Sequence, residues 1–424
     1  MARDQSYLVS YISKLTQYCD VLLLKGAYRI GMDEIVRNVN NGNINYVNLA
    51  SPLIKAEIKE DPDKFISKLE HQKINVLNNI QYLPEIIPYL QSLYSTYKRE
   101  GKLGLMKIII STCADIHTFE GLQQILAEKM FITNLYPAST AEALGYNANI
   151  LDKLYSKNLS PCHFAGLTVA QAMTKATFVN FPDEYQDDYF DEFLNSILNQ
   201  NISSLYNLNS PSKTVKIMTE LTNFIGRITP HGRICRTIAL DDITYPHYYQ
   251  GIIDSFIGFE LSSIPHQWLT ETEQSSEPDS CSHHKNNTKF YFIDSNLLAY
   301  LKGTVINRKI QGDFITFNHL YQNFVVSELR KITSANAGIS LWFMQEPQCR
   351  MDVVITREDQ SAIGFKIRGN DQITDKDLQE FANFRQLLGD RFFRGYVIYL
   401  GSELKEVQEN IYALPVNYLW SDPC

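Results

Sequence analysis

The 424-residue chain has three tryptophans and seven cysteines, and no apolar run reaches the roughly 18 residues that a membrane-spanning helix needs. A membrane span is therefore not expected. The cysteines (Cys19, Cys113, Cys162, Cys235, Cys281, Cys349 and Cys424) are odd in number and never spaced as CxxC. That scatter excludes a disulfide framework or a zinc ribbon and fits a reducing compartment. Charge of one sign is also scarce. Thirty-nine Lys and Arg against 47 Asp and Glu leave a net charge of −8, too small to keep the chain expanded and of the wrong sign for a surface that seeks polyanions. The opening stretch MARDQSYLVSYISKL carries Asp4 and alternates polar with apolar residues, unlike a signal peptide. The expected location is the cytoplasm, export by a route without a cleaved signal being the other option.

What is present is a globular composition, with 44% hydrophobic and 12% aromatic residues, enough apolar material for two or three cores at roughly 150 residues per domain. In residues 1–145 the short apolar runs VLLL (21–24), INYVNL (44–49), INVL (74–77), MKIIIS (106–111) and MFITNL (130–135) alternate with amphipathic stretches such as PEIIPYLQSLYSTYKRE. That alternation predicts five parallel strands covered by helices. Residues 146–269 read as helices, and three of them with a closing strand pair suit a winged-helix-like unit. Residues 270–288 are polar and predict a flexible insertion. Residues 289–424 predict a second α/β module, with FYFID, ISLWFM, MDVVIT, AIGFKIR and YVIYLG as strands and FNHLYQNFVVSELRKI and DLQEFANFRQLL as helices.

Gly26 and Gly31 stand at the end of the first run with the spacing of a phosphate-binding loop. Such a loop needs a lysine after its second glycine to hold phosphate, then a hydroxyl for Mg²⁺. Met32 and Asp33 occupy those positions. A carboxylate about 4 Å from a phosphate repels it by up to about 4 kcal/mol at an effective dielectric near 20. Asp33 is also a good helix N-cap, able to take the amides that would hold phosphate. The third run ends in Asn78 and Asn79, where an ATPase needs one carboxylate for Mg²⁺ and one to activate water, and an amide does neither.

Other groups have plainer explanations. The acidic stretch Asp183, Glu184, Asp187, Asp188, Asp191 and Glu192 opens a helix after Pro182, where negative charge is favoured. Cys281, His283 and His284 lack a fourth ligand, so no metal is expected there. Glu328, Asp352, Lys366 and Arg368 match in kind the acids and lysine of a metal-dependent nuclease, but two cations face two acids, which suits an ion-paired structural cluster better.

Over almost its whole length the chain resembles the prokaryotic AAA+-like ATPases that carry an N-terminal P-loop domain, a winged-helix region and a C-terminal PD-(D/E)xK nuclease-like domain of unknown function. LLLKGAYRIGMDEIV, YVNLASP, INVLNNIQYLPEIIPYLQSL, KIIISTCADI and LAEKMFITNLYPASTAEAL carry the resemblance in the first half. KFYFIDSNLLAYLKG, YQNFVVSELRKI, RMDVVI, DRFFRGYVIYLG and NIYALPVNYLW carry it in the second. The resemblance implies lysine–threonine at Met32–Asp33 and aspartate–glutamate at Asn78–Asn79. It implies glycine–serine at Thr112–Cys113, glycine–arginine at Glu128–Lys129 and arginine–aspartate at Gln200–Asn201. In the nuclease-like part Glu328 and Asp352 remain, while Lys366 replaces a glutamate, Arg368 a lysine, and Arg350 an acid.

A fold kept without its chemistry follows: an α/β protein with a parallel-sheet P-loop domain (1–145), a helical winged-helix-like middle (146–269), an insertion (270–288) and a restriction-endonuclease-like α/β module (289–424). The expected function is that of an interaction or regulatory scaffold with a protein partner and no cofactor. The alternative is a nucleotide-binding ATPase with an unusual loop, in which Gly26, Gly31 and the charge of Lys25 or Arg29 hold Mg-ATP. For nucleic acid, residues 204–269 place Lys213, Lys216, Arg227, Arg233 and Arg236 against Glu220, Asp241, Asp242, Asp254 and Glu260, which leaves no basic footprint.

Overall fold

A computed structural model describes residues 6–420 apart from 28–29, 70–72, 103–105, 114–129, 146–149, 157–158, 160–166, 176–185, 199–209, 266–267, 269–286, 307–312, 335 and 337. The chain divides into two compact units. The first comprises residues 1–136, 191–211 and 250–256, and the second residues 137–190, 212–249 and 257–424. The segment 146–269, expected to stand as one region, thus contributes to both units. The insertion expected at 270–288 lies outside the described residues as far as residue 286.

In the first unit the five apolar runs are five strands: β1 (Val21–Gly26), β2 (Ile44–Asn48), β3 (Ile74–Asn78), β4 (Lys107–Thr112) and β5 (Met130–Leu135). All neighbours are parallel, in the order β2-β3-β4-β1-β5. β1 lies between two partners, Leu23 facing Ile110 of β4 and Ile132 of β5, and is buried along its length. A central strand of a parallel sheet has no solvent face, so VLLL reads as a continuous apolar run rather than an alternation. Helix α1 (Ser6–Tyr18) precedes β1, α2 (Met32–Asn38) follows it, and α3 (Pro52–Glu60) and α4 (Pro62–Ser67) lie between β2 and β3. Proline opens α3 and α4, and the Asp61 carboxylate caps α4 by accepting the Lys64 N–H at 2.9 Å, the pairing expected of helix starts. Ile58, Phe65, and Ile87 and Leu90 of α5 (Ile87–Arg99) share one core with Leu23, Leu77 and Ile110.

The second unit holds α6 (Thr140–Ala143), α7 (Ile150–Leu154) and α8 (Val169–Lys175). Of α9 (Gln186–Ser196) residues 186–190 are assigned to this unit and 191–196 to the first; α10 (Pro211–Leu221) and α11 (His231–Thr237) follow, and of α12 (Thr244–Asp254) residues 244–249 are assigned to this unit and 250–254 to the first. An antiparallel pair, β6 (Gly258–Ser262) and β7 (Thr288–Phe292), comes next. After α13 (Ser295–Leu301) and the long α14 (Phe314–Ser334), a six-stranded sheet is built from β8 (Ile339–Glu346), β9 (Cys349–Arg357), β10 (Ala362–Ile367), β11 (Phe392–Tyr399), β12 (Lys405–Gln408) and β13 (Ile411–Pro415), with α15 (Asp375–Leu388) inserted before β11. Its order is β12-β13-β11-β10-β9-β8. β8, β9 and β10 are antiparallel, whereas β10, β11 and β13 run parallel. Helix, three strands, helix and strand follow one another as the sequence predicts; β12 and β13 were not expected. β12 is a short edge strand with exposed Lys405 and Glu406, and such an edge carries no hydrophobic run by which to find it.

Two glycines let α15 approach this sheet. A Cβ on Gly364 or Gly395 would lie 2.6 Å from a ring carbon of Phe384 or Phe381, respectively. Asn323 of α14 clamps β7: its Oδ1 accepts the Phe292 N–H at 2.8 Å and its Nδ2 donates to the Phe292 carbonyl at 3.0 Å. Asp294 caps α13 by accepting the Asn296 and Leu297 amides. Among the described residues no helix is long and apolar enough to cross a membrane.

Candidate functional site

The loop expected to bind phosphate begins where β1 ends. Gly26 is enclosed: a Cβ there would lie 2.5 Å from Ile30 Cδ1, 2.7 Å from the Leu135 carbonyl and 2.9 Å from Met32 Cε. Gly31 takes a left-handed conformation (φ +80°) and is itself the N-cap of α2, a conformation that favours glycine. Asp33, expected at the cap, is one residue inside the helix after Met32, and its side chain leaves the backbone amides alone. The carboxylate turns instead to side chains. Oδ1 accepts from the Tyr46 hydroxyl and, at 2.8 Å, from Asn78 Nδ2; Oδ2 accepts from Arg37 Nε at 2.9 Å. The Arg37 guanidinium also lies 3.7 Å from the centre of the Tyr46 ring.

Asn78, at the end of β3, closes the network. Its Nδ2 donates to the Tyr46 oxygen at 2.8 Å as well as to Asp33, and its Oδ1 accepts from Ser111 Oγ of β4. Asn79 takes a left-handed turn (φ +65°), donates its N–H to Ser111 Oγ at 3.3 Å, and reaches Asn48 Oδ1 of β2 at 3.1 Å through Nδ2. Gln81 donates to Asn79 Oδ1 and, at 2.8 Å, to the Cys113 sulfur. Thr112 is the buried last residue of β4. Glu128, Lys129, Gln200 and Asn201 lie outside the described residues, as do Arg29, Cys281, His283 and His284.

The charges of this site follow from its partners. Partial burial would raise the Asp33 pKa, but hydrogen bonds from Tyr46 and Arg37 and the Arg37 charge outweigh it and hold the carboxyl below its usual range. Burial and the neighbouring Asp33 carboxylate push Tyr46 up to about 12. A carboxylate, a phenol, an amide and a hydroxyl therefore satisfy one another at the strand ends where a nucleotide's phosphates and Mg²⁺ would need donors and ligands. These residues do not fit Mg-ATP: Met32 offers no ammonium, Asn78 no charge, and the Asp33 carboxylate is already engaged. Lys25, a cation just before the loop, is buried in β1.

In the second unit the residues read as a nuclease remnant part company. Glu328 of α14 is fully buried; its carboxylate accepts the Thr140 N–H at 2.7 Å, at the start of α6, and pairs with Lys331 at 3.0 Å. It shares no hydrogen bond or ion pair with Asp352. Asp352 of β9 accepts the Ile367 N–H at 2.8 Å and lies 4.0 Å from Arg368. Lys366, expected in one ion-paired cluster with Glu328 and Asp352, pairs instead with Glu380 of α15 and donates to the Arg350 carbonyl at 2.8 Å. Arg368 pairs with Asp377, to which its Nε donates at 3.1 Å. Burial would raise the Asp377 carboxyl, yet Arg368 and the Thr374 cap hold it low. Asp377 and Glu380 were missed in the sequence. Their signal is two acids three apart on the face of DLQEFANF that also carries Phe381 and Phe384. Among the described residues no three His, Cys, Asp or Glu side chains are grouped to hold a metal ion.

Residues 317–419 match a family described as Domain of unknown function (DUF4143). No curated protein matches the chain. Among solved structures, the Walker-type ATPase of Pyrococcus abyssi is 12% identical, covering 71% of this chain and 96% of that one at a TM-score of 0.37. Cdc6p from Pyrobaculum aerophilum is 10% identical over 61% of this chain and 88% of its own, at 0.27. The ORC1 protein of Aeropyrum pernix, solved in complex with DNA, is 13% identical over 78% and 95%, at 0.27. Similarity at this level says nothing of activity or ligand. The architecture, a five-stranded parallel α/β sheet and a C-terminal mixed-sheet module, stands on the strand order itself.

Proposed function

We propose that the protein is a non-catalytic scaffold that retains an AAA+-like ATPase framework and acts through a protein partner, without nucleotide or metal. The observation that carries this reading is the Asp33 carboxylate, engaged by Tyr46, Asn78 and Arg37 at the strand ends. To admit Mg-ATP the site would have to break several hydrogen bonds to the Asp33 carboxylate, each worth about 0.3–1 kcal/mol at this exposure, and set a carboxylate beside a phosphate. The C-terminal module supports the same view, since its acids are neutralised by Lys331, Lys366 and Arg368. The winged-helix-like and nuclease-like parts are read, on the same grounds, as retained folds.

Calorimetric titration of the purified chain with Mg-ATP, beside a Gly31→Trp control, tests the proposal. We expect no heat of binding. Sub-millimolar binding that the control abolishes would overturn it in favour of a nucleotide-binding ATPase with an atypical loop.

A further inference from the structure

A cavity of about 470 Å³ opens in the second unit beside α7, the start of β8 and the turn after β9. That volume is within the range of small-molecule sites, roughly 300–1,000 Å³. Its walls carry both signs of charge beside apolar surface. Leu151 and the Tyr155 ring supply the apolar part, and the Arg357 guanidinium lies 4.6 Å from the centre of that ring. Glu358 folds against Gly338, which holds a positive φ of +74°; the Glu358 carboxyl carbon is 2.5 Å from where a Cβ would be. Only a residue without a side chain lets that carboxylate sit there.

Although adjacent in sequence, Arg357 and Glu358 do not pair with each other. Among the described residues neither the Arg357 guanidinium nor the Glu358 carboxylate has a hydrogen bond or an ion pair within 4 Å, and hydrogen bonds from Ser361, helped by the Arg357 charge, hold the Asp359 carboxyl low. Asp359 is different, since its Oδ1 already accepts the Ser361 N–H at 2.9 Å and the Ser361 hydroxyl. Asp152 adds a further carboxylate at the wall. Two opposite charges held apart over one apolar floor are the complement of a ligand that bears both charges itself. Guanidinium takes a carboxylate in a two-pronged bond, and a carboxylate takes an ammonium.

We infer that this cavity binds a small zwitterion with an apolar side chain, of the class of an α-amino acid or a short peptide, with Arg357 on its carboxylate and Glu358 on its ammonium. Titration of the full chain with leucine, glycyl-leucine, putrescine and glutarate tests this. A dissociation constant of about 10 μM–1 mM is expected for a zwitterion, weakened about tenfold or more by Arg357→Gln and by Glu358→Gln. Leucine as the tighter ligand would identify the amino acid, and glycyl-leucine the peptide. Because Arg357 also packs on Tyr155, the exposed Glu358→Gln variant, checked for an unchanged unfolding temperature, keeps the test independent of folding. Putrescine binding as tightly as the zwitterions would reduce the cavity to an acidic patch and overturn the inference; glutarate doing so would reduce it to a basic one, with the same consequence. So would the absence of heat with both zwitterions, or binding indifferent to both substitutions.

Discussion

Glu328 shows how far a single residue's role can lie from its motif. In the sequence it is an acid surviving on the helix of a nuclease-like pattern. In the fold it is a fully buried carboxylate that receives a helix-initial amide from Thr140, 188 positions away, and the ammonium of Lys331. No spacing rule reveals a contact that distant, whereas the Asp33–Arg37 pair, four apart, was open to one. Replacing one member of a buried pair costs about 3–5 kcal/mol, because the other charge stays desolvated. Glu328→Gln should therefore destabilise the second unit by about that much, and divalent metal should not alter the stability of either form. Urea unfolding followed by tryptophan fluorescence measures it well, since Trp268, Trp342 and Trp420 all belong to the second unit. A metal-dependent stabilisation of the wild type that the variant loses would restore Glu328 as a ligand.

At the scale of elements, strands with a long apolar run were legible and contacts between helices were not. VLLL and KIII announce β1 and β4 because both faces of such strands are covered. Nothing comparable announces that α11, α12 and the β6–β7 pair meet around one histidine. His231 Nδ1 lies 2.9 Å from the Tyr245 hydroxyl, and its ring stands edge-on to Tyr249 at 4.7 Å. The Tyr249 and Thr288 hydroxyls both donate to Glu260, at 2.9 and 2.7 Å. Burial lowers the His231 pKa, the Glu260 charge opposing it only in part. The unfolded chain, with an ordinary histidine near 6.5, therefore binds the proton more readily than the folded one. Stability from this group is complete above that value and is lost as pH falls through it toward the lower folded pKa. Unfolding followed by fluorescence between pH 7.5 and 5 should show this loss, and His231→Gln should flatten it. An unchanged slope in the variant would assign the dependence to another group.

For the whole molecule, the two kinds of information in the sequence separate. The apolar pattern specifies the five-stranded parallel sheet, and the polar residues at its strand ends specify what the sheet can hold; fold does not imply function. If the framework is intact and only the chemistry has gone, returning the chemistry should return the binding. Met32→Lys and Asp33→Thr would supply the ammonium and the hydroxyl, and Asn78→Asp with Asn79→Glu the two carboxylates. The substitutions also remove the Asp33 carboxylate that Tyr46, Asn78 and Arg37 now hold, and the Met32 methyl packed over Gly26. The quadruple variant should bind Mg-ATP at least tenfold more tightly than the natural chain. A ligand at 100 times its dissociation constant adds about 2.7 kcal/mol of stability to the unit that binds it. The gain should appear as a rise in the unfolding temperature followed by circular dichroism. A folded variant that still ignores Mg-ATP would show that the loop around Gly26 has lost its geometry as well as its residues. Ile30, whose Cδ1 would lie 2.5 Å from a Cβ on Gly26, is then the next residue to exchange for a smaller one.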